Sequence, residues 1–279
     1  MKKFLQVAAI LMALFMLWYM ACAGMAYAGP TEERVDLTEY KYVNSIEALS
    51  DSDYELIYKQ TGLGRAGVQT LIDSFEMWRL PDIQDRFYEE PTIVRERLNV
   101  VRHQERIKNY EESNVYFPVE DGDIIVTLSS HIGGWRYGHA GLVVDAKKGY
   151  VLEAITFGEP SCLMKLSHWA EFPQCIILRA KDLSKEERAA IAKDAADNLT
   201  GIDYDLLASI RESEVSGDNI TRTQCAHLIW YAFYRAGIDI DGGWSPYVTP
   251  QDIVTDNDLE IVEEYGFVQK SLEMSDNES

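Results

Sequence analysis

The chain has 279 residues, enough for one sizeable core arranged as one or two domains. Hydrophobic residues at 47% and charged residues at 26% exclude a globally disordered chain. A net charge of −20 repels phosphate backbones and anionic lipid, which excludes a nucleic-acid partner.

The first segment has the three-part layout of a secretory signal peptide. Lys2 and Lys3 open it, an uncharged run rich in Leu, Met and Ala extends from Phe4 to Pro30, and Ala26-Tyr27-Ala28 supplies a small-x-small cleavage pattern. One alternative is an uncleaved anchor, because the run is long enough to span a bilayer. Another is lipidation at Cys22, although Tyr19-Met20-Ala21 makes a poor lipobox. All three place the rest of the chain outside the cytoplasm, secreted or associated with the cell envelope, with membrane proximity through this segment. Removing residues 1–28 takes away two lysines and no acid, so the charge moves from −20 to −22.

Residues 29–114 read as a helical N-terminal region. Ser52-Asp53-Tyr54-Glu55 has capping-box spacing, and Gly62 suits a helix C-terminus. Val68, Leu71, Ile72, Phe75 and Trp78 repeat at helical spacing within Arg65 to Leu80, and Pro81 ends the pattern. Pro91 to Tyr110 reads as a further, heavily charged helix. Nothing here carries chemistry.

The texture changes in residues 115–279. Asp121-Gly122-Asp123 is a turn signal, and Ile124 to Leu128 is a strand. A loop rich in Gly and aromatics runs from Ser129 to Gly138. His139 to Ala146 and Tyr150 to Ile155 are strands joined by the short Lys147-Lys148-Gly149 link, which suits a hairpin. Gln174 to Ala180 is a further strand. Leu183 to Leu199 is a helix opened by Ser184 with Glu187 three residues on, and Thr223 to Ala236 is the next helix. Asp258 to Phe267 adds a closing strand.

Beyond residue 28 the cysteines are Cys162, Cys175 and Cys225. Cys162 and Cys175 are close enough in sequence to pair, which leaves Cys225 as the free thiol. Thr221 and Thr223 stand as candidate N-caps, so Cys225 falls in the first turn of its helix, where the helix dipole favours a thiolate. Cys225, Leu228, Ile229, Ala232 and Ala236 share one face, which aims the sulfur at the sheet. A buried, inert cysteine fits that position equally well.

The base must come from elsewhere, because His227 lies about 200° around the helix from Cys225 and reads as a surface or partner-contact residue. The same rotation argues against a metal shared by this pair, so no metal and no cofactor are expected. His139 opens a strand between Gly138 and Gly141, which leave room for close approach. His131 is a rival in the preceding loop; His103 and His168 have no supporting context. Glu153 is a carboxylate in an otherwise apolar strand and a candidate to hold the imidazole. An ideal hairpin puts it opposite Val143, on the face of His139 but about four residues, ~13 Å, away. A bulge, strong coiling or a different register is then required, with Thr156 as the fallback.

Gly122-Asp123-Ile124-Ile125, Gly138-His139-Ala140-Gly141-Leu142-Val143-Val144, Val151-Leu152-Glu153-Ala154 and Thr223-Gln224-Cys225-Ala226-His227-Leu228-Ile229-Trp230 together resemble the circularly permuted, YiiX-like branch of the NlpC-like papain-fold cysteine hydrolases. In that branch the His precedes the Cys, as in its lecithin:retinol-acyltransferase relatives. The similarity covers about Val115 to Gly237. It implies an α+β fold, a papain-like antiparallel sheet or barrel packed on a Cys-bearing helix. It implies Cys225 as nucleophile, His139 as base and Glu153 as orienting residue. Tyr204 is the expected pocket aromatic ahead of the Cys helix, and Trp135 and Tyr137 are further candidates to wall the pocket. Cys225-Ala226 departs from the family's frequent Cys-Ser.

The expected function is an exported cysteine hydrolase cleaving an amide of a cell-envelope peptide through an acyl-enzyme. The alternatives are a thioesterase or acyltransferase taking an acylated small molecule, and a non-catalytic envelope-binding or scaffold protein.

Overall fold

The computed structural model describes residues 2–23, 27–100, 102–108, 110, 115–208 and 220–267, with side chains in only part of the first helix. The helices are α1 (Lys2–Ala23), α2 (Asp51–Thr61), α3 (Arg65–Asp73), α4 (Leu80–Tyr88), α5 (Lys185–Asn198), α6 (Cys225–Tyr234) and α7 (Pro250–Val254). Among the described residues no helix is long and apolar enough to cross a membrane; parts of α1 lie outside that description.

The centre is a six-stranded antiparallel sheet in the order β12-β9-β3-β6-β7-β8. Its strands are β3 (Ile124–Thr127), β6 (His139–Asp145), β7 (Tyr150–Glu153), β8 (Cys162–Lys165), β9 (Cys175–Ala180) and β12 (Leu259–Tyr265). Both faces are covered, so β3 and β9 are buried along their whole length and read as apolar runs rather than alternating patterns. On one face Ile124, Val126, Leu142 and Leu152 pack with Ile191 of α5 and Leu228 and Ile229 of α6. On the other, Ile125, Val143, Val151 and Ile177 pack with Trp169 and Phe172. The fold is α+β, as expected.

The α2–α4 layer has its own core of Ile57, Leu71, Leu80 and Ile83 and docks on β12. Gly62 accepts from Glu264 N–H and Gly64 N–H donates to Val262 O, at 2.9 and 3.0 Å. Gly62 has φ +74° and ends α2, and a Cβ on it would run into the Glu264 carbonyl, so only glycine permits this approach. The turn between α2 and α3 is therefore hydrogen-bonded to β12, the last strand among the described residues.

Several local expectations are corrected. Residues 91–110 are not helical: β1 (Ile93–Arg97) and β2 (Arg102–Ile107) form an antiparallel hairpin. Its charges sit across strands, with Arg95 on Glu105 at 3.1 Å and Arg106 on Glu96 at 3.2 Å, so the pattern lacks apolar alternation. The stretch Ser129 to Gly138 is not a plain loop. It contains β4 (Ser130–Ile132) and β5 (Trp135–Arg136), which extend the hairpin into a four-stranded sheet, β1-β2-β4-β5. Pro81 does not end a helix but lies in the first turn of α4, where its missing N–H costs nothing. The capping box of α2 is Ser50 with Asp53, not Ser52 with Glu55. Cys162 and Cys175 are both free, on β8 and β9, so no disulfide joins them.

Candidate active site

The hairpin β6–β7 brings His139 and Glu153 together by a register shift. Asp145 pairs with Tyr150, leaving a four-residue turn instead of three, and a bulge at Val144 then sets Val143 opposite Val151 and Leu142 opposite Leu152. Continuing that register puts Glu153 opposite Gly141, two residues from His139 instead of four. His139 Nε2 lies 2.7 Å from Glu153 Oε2, with both side chains buried. Gly141 makes this possible: a Cβ there would stand 3.2 Å from Glu153 Cγ and 3.0 Å from the Trp169 ring.

Glu153 has two further partners. His168 Nε2 lies 2.7 Å from its Oε1, and Trp169 Nε1–H donates to the same oxygen at 2.9 Å. Trp169 also stacks flat on His139, with centroids 5.3 Å apart and planes 5° apart, which fixes the ring's tilt. His168 and Trp169 come from a short 3-10 turn (Leu166–Glu171) between β8 and β9. Sequence reasoning missed His168, since a histidine in a connecting turn carries no periodic signal.

Three charge effects follow. Burial alone would push the Glu153 carboxyl up, but the hydrogen bonds from His139 and His168 hold it at about 2. Burial disfavours protonated His139, yet the neighbouring Cys225 and the hydrogen-bonded Glu153 carboxylate outweigh this and raise its pKa above the usual value. Burial likewise opposes protonation of His168, and its bonds to Glu153 and Glu171 raise it to about 9. Glu153 is thus a fixed anion at neutral pH, and it accepts the Nε2–H of His139. Nδ1 is left as the basic nitrogen.

Cys225 is the first residue of α6 and is 2% exposed. The N-cap is Gln224, not Thr221 or Thr223. Its Oε1 accepts from Ala226 N–H at 2.8 Å and from Tyr137 Oη at 2.7 Å, and it lies 3.6 Å from Cys225 Sγ. Its Nε2 donates to Val248 O at 2.8 Å. Gln224 therefore ties the helix start, Tyr137 and the thiol into one cluster. The N–H of Cys225, at the head of the helix, has no intrahelical acceptor.

The other predicted residues sit around this cluster at different depths. Tyr137 is buried and shares its hydroxyl with Tyr247, 3.2 Å away. Trp135 packs edge-on to Tyr137 at 5.3 Å and is 40% exposed, a rim position. Tyr204 belongs to β10 (Asp203–Tyr204), which pairs in parallel with β11 (Arg222–Thr223), and Phe157 meets its ring at 5.1 Å. Burial and the neighbouring Cys225 raise the Tyr204 pKa.

His227 points away from Cys225, as its helix position requires, but it is not a surface residue. It is 2% exposed, lies 3.1 Å from Thr223 Oγ1 and stacks on Trp230. His131 is also buried, in β4, and belongs to a separate cluster around Glu105. A surface cavity of about 550 Å³ lined by Arg79, Arg86 and Tyr116 shares no residue with the Cys225 cluster. Among the described residues no group of three or more His, Cys, Asp or Glu side chains is placed to hold a metal ion.

No family model matches the sequence, and no curated protein matches it. Among solved structures, the metalloprotein YiiX from Escherichia coli matches with a TM-score of 0.42 and 22% identity, over 52% of this chain and 98% of YiiX. At that level of likeness, function rests on the geometry of the site itself.

Proposed function

We propose that the protein is a cysteine hydrolase that cleaves an amide bond of a cell-envelope peptide outside the cytoplasm. The observation that supports this most is the His139–Glu153 bond of 2.7 Å, buried beside a thiol at a helix start. A thiol, an imidazole and a carboxylate brought together are what nucleophilic acyl transfer requires.

In this reading Nδ1 of His139 takes the Cys225 proton, and Glu153 stabilises the imidazolium. The thiolate attacks the carbonyl carbon. The Cys225 N–H, at the positive end of α6, donates to the developing oxyanion. The imidazolium returns its proton to the leaving amine, and water resolves the thioester with His139 again as base. Because Cys225 and His139 are both nearly fully buried, a substrate displaces one of the side chains that border the thiol, among them Tyr204 and Tyr137.

The test pairs activity with thiol chemistry. Wild-type protein, Cys225→Ala and His139→Ala are assayed on cell-wall peptide fragments, and iodoacetamide alkylation of Cys225 is followed by mass spectrometry. The expected result is turnover lost in Cys225→Ala and slower alkylation of Cys225 in His139→Ala. Unchanged turnover in Cys225→Ala, together with a Cys225 alkylation rate that does not depend on His139, sinks the proposal.

A further inference from the structure

Arg102 stands apart from the other buried and part-buried arginines. In this strongly acidic chain they have carboxylate partners: Arg86 has Glu263, Arg179 has Asp123, Arg188 has Glu120 and Arg136 has Glu105. Arg102 is 8% exposed and meets no carboxylate among the described residues. Its Nη1 donates to the Ile155 carbonyl, and its Nε is buried without an acceptor. A guanidinium does not discharge, so an unpaired one inside a protein is costly.

Its position gives that cost a use. Arg102 opens β2, opposite Ile132, and its side chain reaches the chain just beyond the Glu153 strand. Phe157, two residues past Ile155, packs on Tyr204, and Tyr204 pairs with Thr223, two residues before Cys225. The guanidinium and the thiol also act on the same Tyr204 hydroxyl, Cys225 raising its pKa and Arg102 lowering it. Among the described residues the otherwise acidic molecule therefore has one buried arginine without a carboxylate partner, and it lies near the Tyr204 ring that also neighbours Cys225.

We propose that Arg102 is the substrate-recognition cation of the Cys225 site and binds a carboxylate on the acyl side of the scissile bond. This rests on the reading of Cys225 as nucleophile and adds the class of substrate, an acidic peptide. With Nη1 held by Ile155, the Nε–Nη2 edge has no acceptor among the described residues. Its two parallel N–H groups match the two oxygens of a carboxylate.

Small alkylating agents test this without the natural substrate. Iodoacetate carries the carboxylate, and iodoacetamide is its neutral counterpart. The full-length protein is alkylated with each, and the rates at Cys225 are read by peptide mass spectrometry, with half-exposed Cys162 as an internal control. In the wild type Cys225 reacts faster with iodoacetate. In Arg102→Gln the ratio of the two rates falls about tenfold or more, the size expected for a lost charged hydrogen bond. The iodoacetamide rate and the Cys162 ratio stay unchanged, and Arg102→Lys is intermediate. An unchanged ratio in folded Arg102→Gln overturns the proposal. If that variant does not fold, the wild-type ratio decides, and a value at or below one overturns it. A Cys225 inert to both reagents is a different failure: it removes the nucleophile reading and the Arg102 assignment with it.

Discussion

Two buried glutamates in this molecule look alike and do different things. Glu153 and Glu105 are each fully buried, each accepts from a histidine, and each is held at about 2 by its partners against the effect of burial. Glu105 lies on β2 and gathers His131, Arg136 and Arg95 at 3.0 to 3.2 Å. Glu153 lies on β7 and gathers His139, His168 and the Trp169 indole. The contrast lies in the donors. Guanidinium groups never give up a proton near neutral pH, so Glu105 is a locked strut tying β1, β2 and β5 together. Imidazoles do, so the charge of Glu153 is matched to groups that titrate, and one of them, His139, has a thiol as neighbour. A buried Glu–His pair is thus no sign of catalysis by itself; the partners on the far side of the histidine decide.

The largest effect is expected where the two clusters differ most. Cys225→Ala should cut turnover at least about a thousandfold, because a nucleophile has no substitute, while stability moves by less than about 1 kcal/mol. Steady-state kinetics and a denaturant melt on the same sample check both halves. Full retention of activity would break the comparison, since neither glutamate would then serve chemistry.

Next is Glu105→Gln. Removing the fully buried carboxylate and leaving the part-buried Arg136 without its counter-charge should cost about 3 kcal/mol of stability. The loss should appear as a lower denaturation midpoint, with kcat per folded molecule kept. If activity falls while the melt is unchanged, Glu105 belongs to the site and the distinction drawn above is wrong.

How much of this was legible in the sequence depends on what holds each element. The apolar runs of β3 and β9 and the capped helix α5 were readable, because burial and local capping leave periodic or positional marks. The order His139, Glu153, Cys225 was readable, and so was the geometric obstacle between the first two. The bulge at Val144 that removes the obstacle was not, since it depends on how the sheet coils. The β1–β2 hairpin was misread because cross-strand ion pairs set its register and apolar alternation does not. His168 and Gln224 were missed for a related reason: each acts through a contact made by tertiary packing, Gln224 Nε2 reaching Val248 O and His168 reaching across to β7.

His227 sharpens the rule that a carboxylate decides a histidine's charge. It is buried beside Thr223 with no carboxylate against it among the described residues, and burial lowers its pKa to about 4. A histidine depressed in the folded state is stabilising above its unfolded pKa of about 6.5, and that contribution is lost as pH falls toward 4. The loss amounts to at most about 3 kcal/mol. Denaturant melts from pH 7 to pH 4 should show the decline, and His227→Asn should flatten it. An equally steep decline in the variant would assign the acid sensitivity elsewhere.

His168 is the opposite case and the subtlest test of the Glu153 cluster. Its pKa, raised to about 9 by Glu153 and Glu171, makes it a cation at neutral pH. Its contribution to stability is complete below its unfolded pKa near 6.5 and is lost as pH rises through about 9. It also competes with His139 for the charge of Glu153. Removing it in His168→Gln should therefore leave the imidazolium of His139 better stabilised and move the alkaline limb of kcat/KM to higher pH. The rate at neutral pH should fall by about tenfold, because Glu153 loses a charged hydrogen bond that positions it. The same variant should show no loss of stability between pH 6.5 and 9 from this residue, whereas the wild type does. A merely structural His168 would lower the rate through unfolding and leave the limb in place. A displaced limb with normal stability at neutral pH marks Glu153, unlike Glu105, as a carboxylate whose charge is shared among titrating partners.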